Sequence, residues 1–388
     1  MRKAIILITA ILLGFANGTT EAQFVDHFED SSLEKWEAFS GDGEAGVNFT
    51  AGKGFAKVVV DARSDKYNIW WAVIKRNVTN GLHLDTISTD KHRIRFEARL
   101  RSSHAPRRVN LHLYTQRVTN HHLHLMEYEI PDTTHWHTIS LTAKDLPVQP
   151  DDSVFAQLAL MDWGKEIYQL DVDYVKAFIV DPGRVDADKG NPISYRPEIP
   201  DLDSYEHELG VRQDAVIDQL HPGQNFSSWG VKKGNSISQK LSVSGSQNIL
   251  FGWDFSSYKG DSVKGWSVLK IHPEQVFQLK SYSYEELGQI RVSEIINDAS
   301  WDEKKVTWKS FTDHHPIYDV INPQMIMDTR VEPGKTVYIT IPENVMQRLI
   351  DGASSGLAIQ ALGSIHAIFP AKEGVSKRTS TTIFFNTE

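Results

Sequence analysis

Short segments in which apolar and polar residues alternate dominate the first half of the chain, and this two-residue period is the feature that most limits the fold. Eight of them lie between residues 24 and 180: AKVVVDA, YNIWWAVIKR, HRIRFEARLR, VNLHLYTQ, HHLHLMEYEI, WHTISLTA, VFAQLALMDW and YQLDVDYVKAFIV. Alternation places successive side chains on opposite faces of a strand, and turn residues separate the segments. The sequence therefore predicts an all-β protein, with an antiparallel, jelly-roll-like β-sandwich over residues 23–180.

The rest of the chain divides into a polar segment and a second β-rich region. Residues 181–206 are rich in proline, aspartate and glycine and have no hydrophobic period, which predicts an interdomain linker. Over residues 207–388 we predict a second antiparallel β-sandwich. One short helix is expected at 342–352, where Val345, Leu349 and Ile350 have helical spacing. At 388 residues the chain is long enough for two such domains.

The N-terminal residues 1–22 predict a secretory signal peptide. A basic start precedes an apolar run over residues 4–16 that is too short to span a bilayer, and small residues allow cleavage after residue 18 or residue 22. The chain contains no cysteine, so it has neither a lipid-anchoring cysteine nor a disulfide, which exported eukaryotic proteins usually carry. We therefore expect a soluble bacterial protein, secreted to the periplasm or beyond and without a membrane anchor.

The charge of the chain bears on its partners. A formal net charge of −9 argues against nucleic-acid binding, which requires a basic surface. Seven arginines nevertheless fall within 25 residues: Arg93, Arg95, Arg99, Arg101, Arg107, Arg108 and Arg117. A basic groove of this kind suits an anionic ligand such as a uronate or a sulfated glycan. The alternative is a solvated strand face, because RIRFEARLRS alternates charged with apolar residues.

Residues 109–130 predict a β-hairpin with one polar face. In its first arm one face carries Val109, Leu111 and Leu113, and the other carries Asn110, His112, Tyr114 and Gln116. In its second arm the same alternation groups His122, His124, Met126 and Tyr128. With the turn centred on residues 118 and 119, His112 lies opposite Met126 and Tyr114 opposite His124. Imidazole, phenol and amide groups bind sugars and transfer protons, although a polar sheet face with satisfied histidines is the alternative.

The polar face favours elimination over hydrolysis. No P-loop, Rossmann glycine fingerprint, serine-hydrolase elbow or HExxH motif occurs in the sequence. A glycosidase needs two carboxylates that face one cleft, and we predict that Glu127 and Glu129 point away from the polar face because they alternate with it. β-Elimination from a uronic acid instead needs groups that neutralise its carboxylate, a base and a proton donor. The hairpin supplies residues for each of these roles.

The candidate residues follow from these roles. The catalytic candidates are His112, Tyr114 and His124, with His112 or Tyr114 as the base or acid and His124 as its partner. The candidates for substrate binding are Asn110, Gln116, Arg107, Arg108, His122, Tyr128 and Trp71. Trp70 and Trp71 fall on opposite faces of a strand, so one can stack on a sugar ring while the other belongs to the core. A zinc site of His112, His122 and His124 is an alternative, but no clear carboxylate accompanies them, and we expect neither a metal nor another cofactor.

Two longer patterns resemble known families. In the second half DAVIDQLHPGQNF, ILFGWDFS, WDEKKVTW and LIDGASSGLAI resemble DNRLRE-type β-sandwich modules of secreted bacterial glycan-active proteins, which implies an accessory module. In the first half WWAVIKRNVT, the 103–142 region and ALMDWGK look like secreted marine-bacterial proteins of ulvan degradation, of the oligosaccharide dehydratase type. This resemblance implies a carbon–oxygen lyase that removes water from the unsaturated terminal uronic acid of an anionic oligosaccharide. A non-catalytic binding protein for anionic algal glycans and an endo-acting polysaccharide lyase are the alternatives.

Overall fold

The structure is a computed structural model. It describes residues 24–29, 33–65, 69–82, 84, 93–119, 124–143, 146–181, 183, 186–193, 199, 201–227, 230–233, 236–278, 289–296, 300–322, 326–362, 365–374 and 378–388.

Two six-stranded antiparallel sheets form a sandwich from the first half of the chain. Their strands are β1 (Phe24–Asp26), β2 (Trp36–Gly41), β3 (Gly46–Ala51), β4 (Ala56–Asp61), β5 (Trp71–Asn77), β6 (Arg93–Ser102), β7 (Arg107–Thr115), β8 (Leu125–Ile130), β9 (His137–Ala143), β10 (Val154–Met161), β11 (Ile167–Val180) and β12 (Asn191–Ile193). Sheet I has the order β3-β4-β11-β6-β9, with β1 beside β11, and sheet II has the order β12-β8-β7-β10-β5-β2. The alternate apolar residues of both sheets pack between them around Trp70, Trp163 and Tyr168, which are fully buried.

The second half is also mainly antiparallel sheet, and the prediction of an all-β chain is confirmed. Its strands are β13 (His207–Gly210), β14 (Gln213–Asp218), β15 (Gly230–Lys233), β16 (Ser236–Val243), β17 (Gln247–Gly252), β18 (Ser267–Ile271), β19 (Gln275–Gln278), β20 (Gln289–Ile295), β21 (Ile321–Asn322), β22 (Asp328–Thr329), β23 (Val337–Ile341), β24 (Gly356–Leu362), β25 (Ile365–Pro370) and β26 (Thr382–Phe385). They form sheets of order β13-β26-β18-β23, β14-β17-β24-β20-β21 (with β22 beside β20) and β15-β16-β25-β19.

In the part of the chain that the structure describes, three short α-helices accompany these sheets: α1 (Trp308–Thr312), α2 (Ile317–Val320) and α3 (Glu343–Asp351). Single 3₁₀ turns lie at Thr79–Gly81, Leu202–Ser204, Ser256–Tyr258 and Lys372–Gly374. The predicted helix is confirmed as α3, which buries Val345, Leu349 and Ile350 and ends at Gly352, whose φ of 77° suits a residue without a side chain. Among the described residues, no helix has the length and apolar character needed to cross a membrane.

The segment between the two halves, predicted to be a linker, differs from a free tether. Its residues 191–193 form β12, which pairs with β8 at the edge of sheet II. Upstream of β12, Lys189 donates to Glu97 at 2.8 Å, and the guanidinium of Arg95 donates to the carbonyls of Asp186 and Ala187. Ile193 is buried in the core of the second half. The segment is therefore packed against both halves. Its residues 186–189 bind charged side chains of sheet I, and Ile193 enters the core of the second half.

Two arginines of the second half join it to the first. Arg348 on α3 donates to both carboxylate oxygens of Glu129 on β8, at 2.8 and 2.9 Å, and to both of Glu294 on β20, each at 2.8 Å. Arg291 on β20 donates to Asp162 at 2.8 Å and to Asp328 at 2.7 Å. The guanidinium fork matches two carboxylates at once, so each arginine fixes the angle between the halves.

Candidate functional site

The outward face of sheet II carries the predicted polar face of β7. Val109, Leu111 and Leu113 point into the core, as the alternation predicts. Asn110 and His112 lie on the opposite face, where their cross-strand neighbours on β10 are Ala159 and Gln157. The period-two pattern of VNLHLYTQ is thus sufficient to place the side chains of this strand.

The predicted register of the hairpin is wrong by one residue. His112 pairs with Leu125, and Leu111 with Met126. A one-residue shift turns every side chain of a strand to the other face. Met126 therefore packs against the core, and Tyr128 is fully buried there, with its hydroxyl donating to the carbonyl of Ser140. The prediction that Tyr128 lies on the binding face is wrong for this reason, and burial raises its pKa.

The same shift places Glu127 and Glu129 on the outward face, contrary to prediction. Glu127 lies opposite Asn110, and Glu129 lies opposite Arg108. The amide of Asn110 donates to Glu127 at 3.4 Å and to the sulfur of Met161 at 2.9 Å. Because Asn110 and Glu127 are both nearly inaccessible, this end of the face is a packed polar cluster.

Side chains form rows across sheet II because its strands are in register. One row runs through Leu125, His112, Gln157, Lys75 and Glu37, from β8 to β2. The next row runs through Glu127, Asn110, Ala159, Val73 and Phe39. We call the first of these rows the polar row. It connects the predicted site on β7 with Gln157, Lys75 and Glu37, which are not among the candidates from the sequence.

One exposed and two half-buried aromatic residues flank the polar row at its β2–β5–β10 end. We call Phe39, Trp71 and Phe155, together with the lysine between them, Lys75, the aromatic strip. Phe39 is 38% exposed and meets the Trp71 ring edge-on, with 5.7 Å between ring centroids. The ammonium of Lys75 lies 5.5 Å from the Phe39 ring and 5.1 Å from the Phe155 ring, and 2.9 Å from the carboxylate of Glu37. The cation therefore holds two rings of the strip together.

Trp71 has the surface position predicted for it, and its position is fixed. Its indole N–H donates to Asp42 at 2.7 Å. A Cβ atom at Gly41 would come within 2.2 Å of the indole, so a glycine is required where Trp71 crosses β2. Its neighbour Trp70 is fully buried in the core, as predicted, and donates to the carbonyl of Gly164 at 2.7 Å.

Tyr114 and His112 are nearly buried, at 8% and 6% exposed, and the surroundings of Tyr114 decide which proton-transfer role it can have. The phenol of Tyr114 donates to Gln157 at 3.2 Å, and its ring stacks on Phe155. Burial, together with the nearby charge of Glu37, raises the pKa of Tyr114 to about 12. The phenol is therefore protonated near neutral pH, which makes it a proton donor and unsuits it as a base.

Arg107 and Arg108 do not lie together on the binding face, and the prediction that both hold a ligand carboxylate is wrong. Successive residues of a strand point to opposite sides, and Arg107 is 2% exposed and donates to the carbonyl of Pro106. Arg108 is on the outward face but is nearly buried and pairs with Glu127 at 3.2 Å. Its charge is already compensated within the protein.

The remaining predicted residues that the structure describes, Gln116 and His124, directly follow β7 and precede β8. Gln116 donates to Asp152 at 3.0 Å and accepts from the backbone N–H of Ser153 at 2.7 Å, so its amide ties β7 to the loop before β10. The carbonyl of His124 accepts from the N–H of Leu113 at 3.1 Å, so His124 lies opposite the core-facing Leu113 and not opposite Tyr114. The prediction that His124 shares the polar face with His112 and Tyr114 is therefore wrong, for the same shift in register. His122 lies outside the described residues, and with it the alternative zinc trio.

The seven arginines do not form one basic groove. Arg95, Arg99 and Arg101 lie on sheet I, whereas Arg107 and Arg108 lie on sheet II. Five of the seven pair with carboxylates of the chain: Arg95 with Asp188, Arg99 with Asp173, Arg101 with Asp171, Arg108 with Glu127 and Arg117 with Asp152. The sequence shows only the basic partners as a cluster, because most of the acidic partners lie 30 or more residues away.

One group of carboxylates among the described residues is close enough to share a cation. Asp214, Glu303 and Glu373 have oxygen atoms within 4.8 Å of one another. Burial raises the pKa of Asp214 to about 7. The ammonium of Lys372 lies 2.5 Å from Glu303 and also contacts Glu373, so this group has a cation from the chain itself. It lies in the second half, away from sheet II.

No protein-family model matches the chain, and neither does any curated protein. A carbohydrate-binding module of the β-sandwich superfamily is 15% identical, with a TM-score of 0.29, over 42% of this chain and 62% of the module, so the chain spans less than two thirds of that structure. The family 11 module of Clostridium thermocellum, in complex with a mixed-linked tetrasaccharide, is 15% identical over 39% of this chain and 92% of its own, with a TM-score of 0.26. A tandem of family 22 modules from Paenibacillus barcinonensis is 12% identical over 95% of this chain and 96% of its own, with a TM-score of 0.27. At these values the likenesses assign no residue and no ligand to this chain.

Proposed function

We propose that this chain is a carbohydrate-binding protein and that the aromatic strip and the polar row of sheet II form its binding surface. The observation that carries the proposal is the alignment of Phe39, Trp71 and Phe155 on one open face, beside Gln157 and Lys75. Sugar rings have apolar C–H faces that pack on aromatic rings and hydroxyl edges that need hydrogen-bond partners. Exposed apolar side chains rimmed by polar groups are typical of ligand-binding surfaces.

The dimensions of the strip suit an extended oligosaccharide. Neighbouring strands lie about 4.8 Å apart, so β2 and β10, which flank β5, are separated by about 10 Å. Trp71 is anchored by Asp42 and Gly41, and Lys75 is held between two rings. Anchored side chains lose little conformational entropy when a ligand binds, which favours affinity.

Calorimetric titration with a panel of short neutral and anionic oligosaccharides tests the surface. The Trp71→Ala variant should bind the ligand of the wild type at least about tenfold more weakly, in line with the roughly 1–3 kcal/mol that one stacked ring contributes in nucleic-acid complexes. Phe277→Ala is the matched control, because Phe277 is an aromatic residue 50% exposed on β19 of the second half. Equal affinities of the Trp71→Ala variant and the wild type would contradict the proposal.

A second candidate function is the dehydration of an unsaturated terminal uronic acid, the activity implied by the resemblance to ulvan-degrading proteins. The observation that favours it is that His112 and Tyr114 lie two residues apart on the same face of β7, with Tyr114 protonated. Tyr114 would donate a proton to the leaving hydroxyl, and His112 would accept the proton removed from the sugar ring. Arg107 and Arg108 are buried, whereas Lys75, which pairs with Glu37, is partly exposed on this face and is the cation that would meet the uronate.

Mass spectrometry distinguishes the two functions. Dehydration of lyase-generated ulvan oligosaccharides gives a product lighter than its substrate by one water, and His112→Ala and Tyr114→Phe should both abolish that loss. Cleavage of intact polymer into unsaturated fragments would indicate an endo-acting lyase instead. Binding without any change in mass would leave the protein a binding module. In either case we propose that the chain acts outside the cytoplasm, as the basic and apolar residues of 1–22 favour.

A further inference from the structure

A cleft of about 660 Å³ lies between the two halves of the molecule, beside β8 and the edge strand β12 of sheet II. One wall comes from the first half and from the segment that follows it, and the other comes from the loop before β18 and the start of α3. The side chains that bear on its chemistry are Leu125, Glu127, Asn191, Trp266, Glu343 and Asn344. Ligand sites are commonly found at domain interfaces, in pockets of about 300–1,000 Å³.

The cleft continues the proposed binding surface. Leu125, in its wall, is the β8 member of the polar row that includes His112, and Glu127 is the β8 member of the next row, which continues to Ile193 on β12. A ligand that extends along sheet II beyond β7 therefore enters the cleft. This inference rests on the proposed carbohydrate-binding function and extends it to the second half of the chain.

The walls of the cleft are held at a fixed distance. Glu129 lies two residues beyond Glu127 on β8, and Arg348 lies one helical turn beyond Asn344 on α3. The ion pair between Arg348 and Glu129 therefore ties the two walls directly behind the residues that face the cavity. Tyr205 supports Trp266 by donating to its backbone carbonyl at 3.0 Å. A site fixed in this way needs no closing motion before it binds.

The polar side chains that line the cleft are carboxylates and amides. Glu127 is held by Arg108 and Asn110, and Glu343 accepts from the backbone N–H of Gly265 at 2.9 Å. Among the described residues that line the cleft, none is lysine, arginine or histidine. A uronate or sulfate would meet the carboxylate of Glu343 and no cation among these residues, whereas the hydroxyls of a neutral sugar can donate to that carboxylate. Trp266 is partly exposed and supplies an aromatic ring for stacking.

From the position, the rigidity and the charge of this cleft we infer that it is a second binding site, built by both halves of the chain, for neutral sugar residues. Trp266 stacks on the ring, and Glu343 and Asn191 bind its hydroxyls. The site differs in preference from the strip on sheet II, where Lys75 provides a cation. The second half is therefore part of the binding surface as well as its support.

Calorimetric titration of the full-length chain tests this inference with cellotetraose, xylotetraose, laminaritetraose and mannotetraose as neutral probes and tetragalacturonate as the anionic probe. At least one neutral probe should bind, and Trp266→Ala should weaken it about tenfold or more. Asn191→Ala, which changes an exposed residue of β12, should weaken the same probe even where Trp266→Ala fails to fold. Trp71→Ala is measured beside them and reports on the aromatic strip alone, with Phe277→Ala as the common control.

Each outcome is decisive. Loss of neutral binding in the Trp266 and Asn191 variants supports the cleft, whatever Trp71→Ala does. Loss in the Trp71 variant alone leaves the proposed carbohydrate-binding function standing and overturns the cleft. Failure of every neutral probe to bind the wild type at about 5 mM also overturns it. If Trp266→Ala weakens tetragalacturonate as much as the neutral probes, the assignment to neutral sugars is wrong.

Discussion

Replacing Arg348 by methionine should destabilise the protein strongly, because one guanidinium compensates two buried carboxylates. The side chains of Glu129 and Glu294 are 1% and 0% exposed, and Arg348 donates four hydrogen bonds to them. Without Arg348 both charges remain buried and close enough to repel each other. Breaking a buried ion pair on one side costs about 3–5 kcal/mol, and we expect at least that loss in the free energy of unfolding near neutral pH.

The loss should become smaller in acid. Burial raises the pKa of Glu294, although the hydrogen bonds of Arg348 act in the opposite direction. In the variant this opposing effect is gone, so the pKa of Glu294 rises further, and protonation of this carboxylate in acid removes part of the charge penalty. A raised carboxyl pKa penalises the folded state above that pKa and stops doing so below it. The stability difference between variant and wild type should therefore shrink from about pH 7 to about pH 5.

Urea unfolding followed by tryptophan fluorescence at both pH values measures this difference. Arg212→Met is the matched control, because Arg212 pairs with Asp254 at the surface, with side chains 70% and 46% exposed, where solvent screens the ion pair and its loss should change stability little. Adding Glu129→Gln and Glu294→Gln to the Arg348 variant should restore part of the stability. A deficit no larger than that of the control, or one independent of pH, would refute the reasoning.

Three further predictions follow from other contacts. A fragment that ends at residue 180 should be less stable than one that ends at residue 193, by about 2 kcal/mol or more, because Arg95 loses its carbonyl partners and β8 loses β12; urea unfolding of both fragments measures this. Asp152→Asn should cost about 1–3 kcal/mol; hydrogen bonding to Arg117 lowers the pKa of Asp152 to about 2, so the difference from wild type should stay constant down to about pH 4 and shrink only below it. Tyr114→Phe should remove one phenol that ionises near pH 12, which absorbance titration detects.

The faces of single strands can be read from this sequence, but the pairing of strands cannot. The alternation of β7 places Asn110 and His112 correctly because it depends on strand geometry alone. The register of β8 depends on how the chain turns between residues 116 and 124, and a shift of one residue exchanges Tyr128 for Glu127 on the outward face. Pattern alone leaves such a shift undetermined.

For the aromatic strip as well, the faces of single strands can be read from the sequence, but the pairing of the strands cannot. Alternation in WEAFSG and VFAQLALM is sufficient to group Glu37 with Phe39 and Phe155 with Gln157. What joins these pairs is the strand order β10-β5-β2, which links segments about 40 and 80 residues apart. The pairing of the arginines has the same cause, since the partner of Arg99 is Asp173. The aromatic strip and the ion pairs of the arginines both depend on which distant segments of the chain pair, and a single sequence indicates that pairing only weakly.

The place of β12 at the edge of sheet II has a consequence for the order in which the molecule is made. Until residues 191–193 have left the ribosome, the outer backbone groups of β8 have no strand beside them. Unpaired edges of partly folded sheets invite pairing with other chains. The first sandwich thus completes its sheet with residues that come after its last long strand, β11, and the nascent chain is most vulnerable to aggregation in the interval between the two.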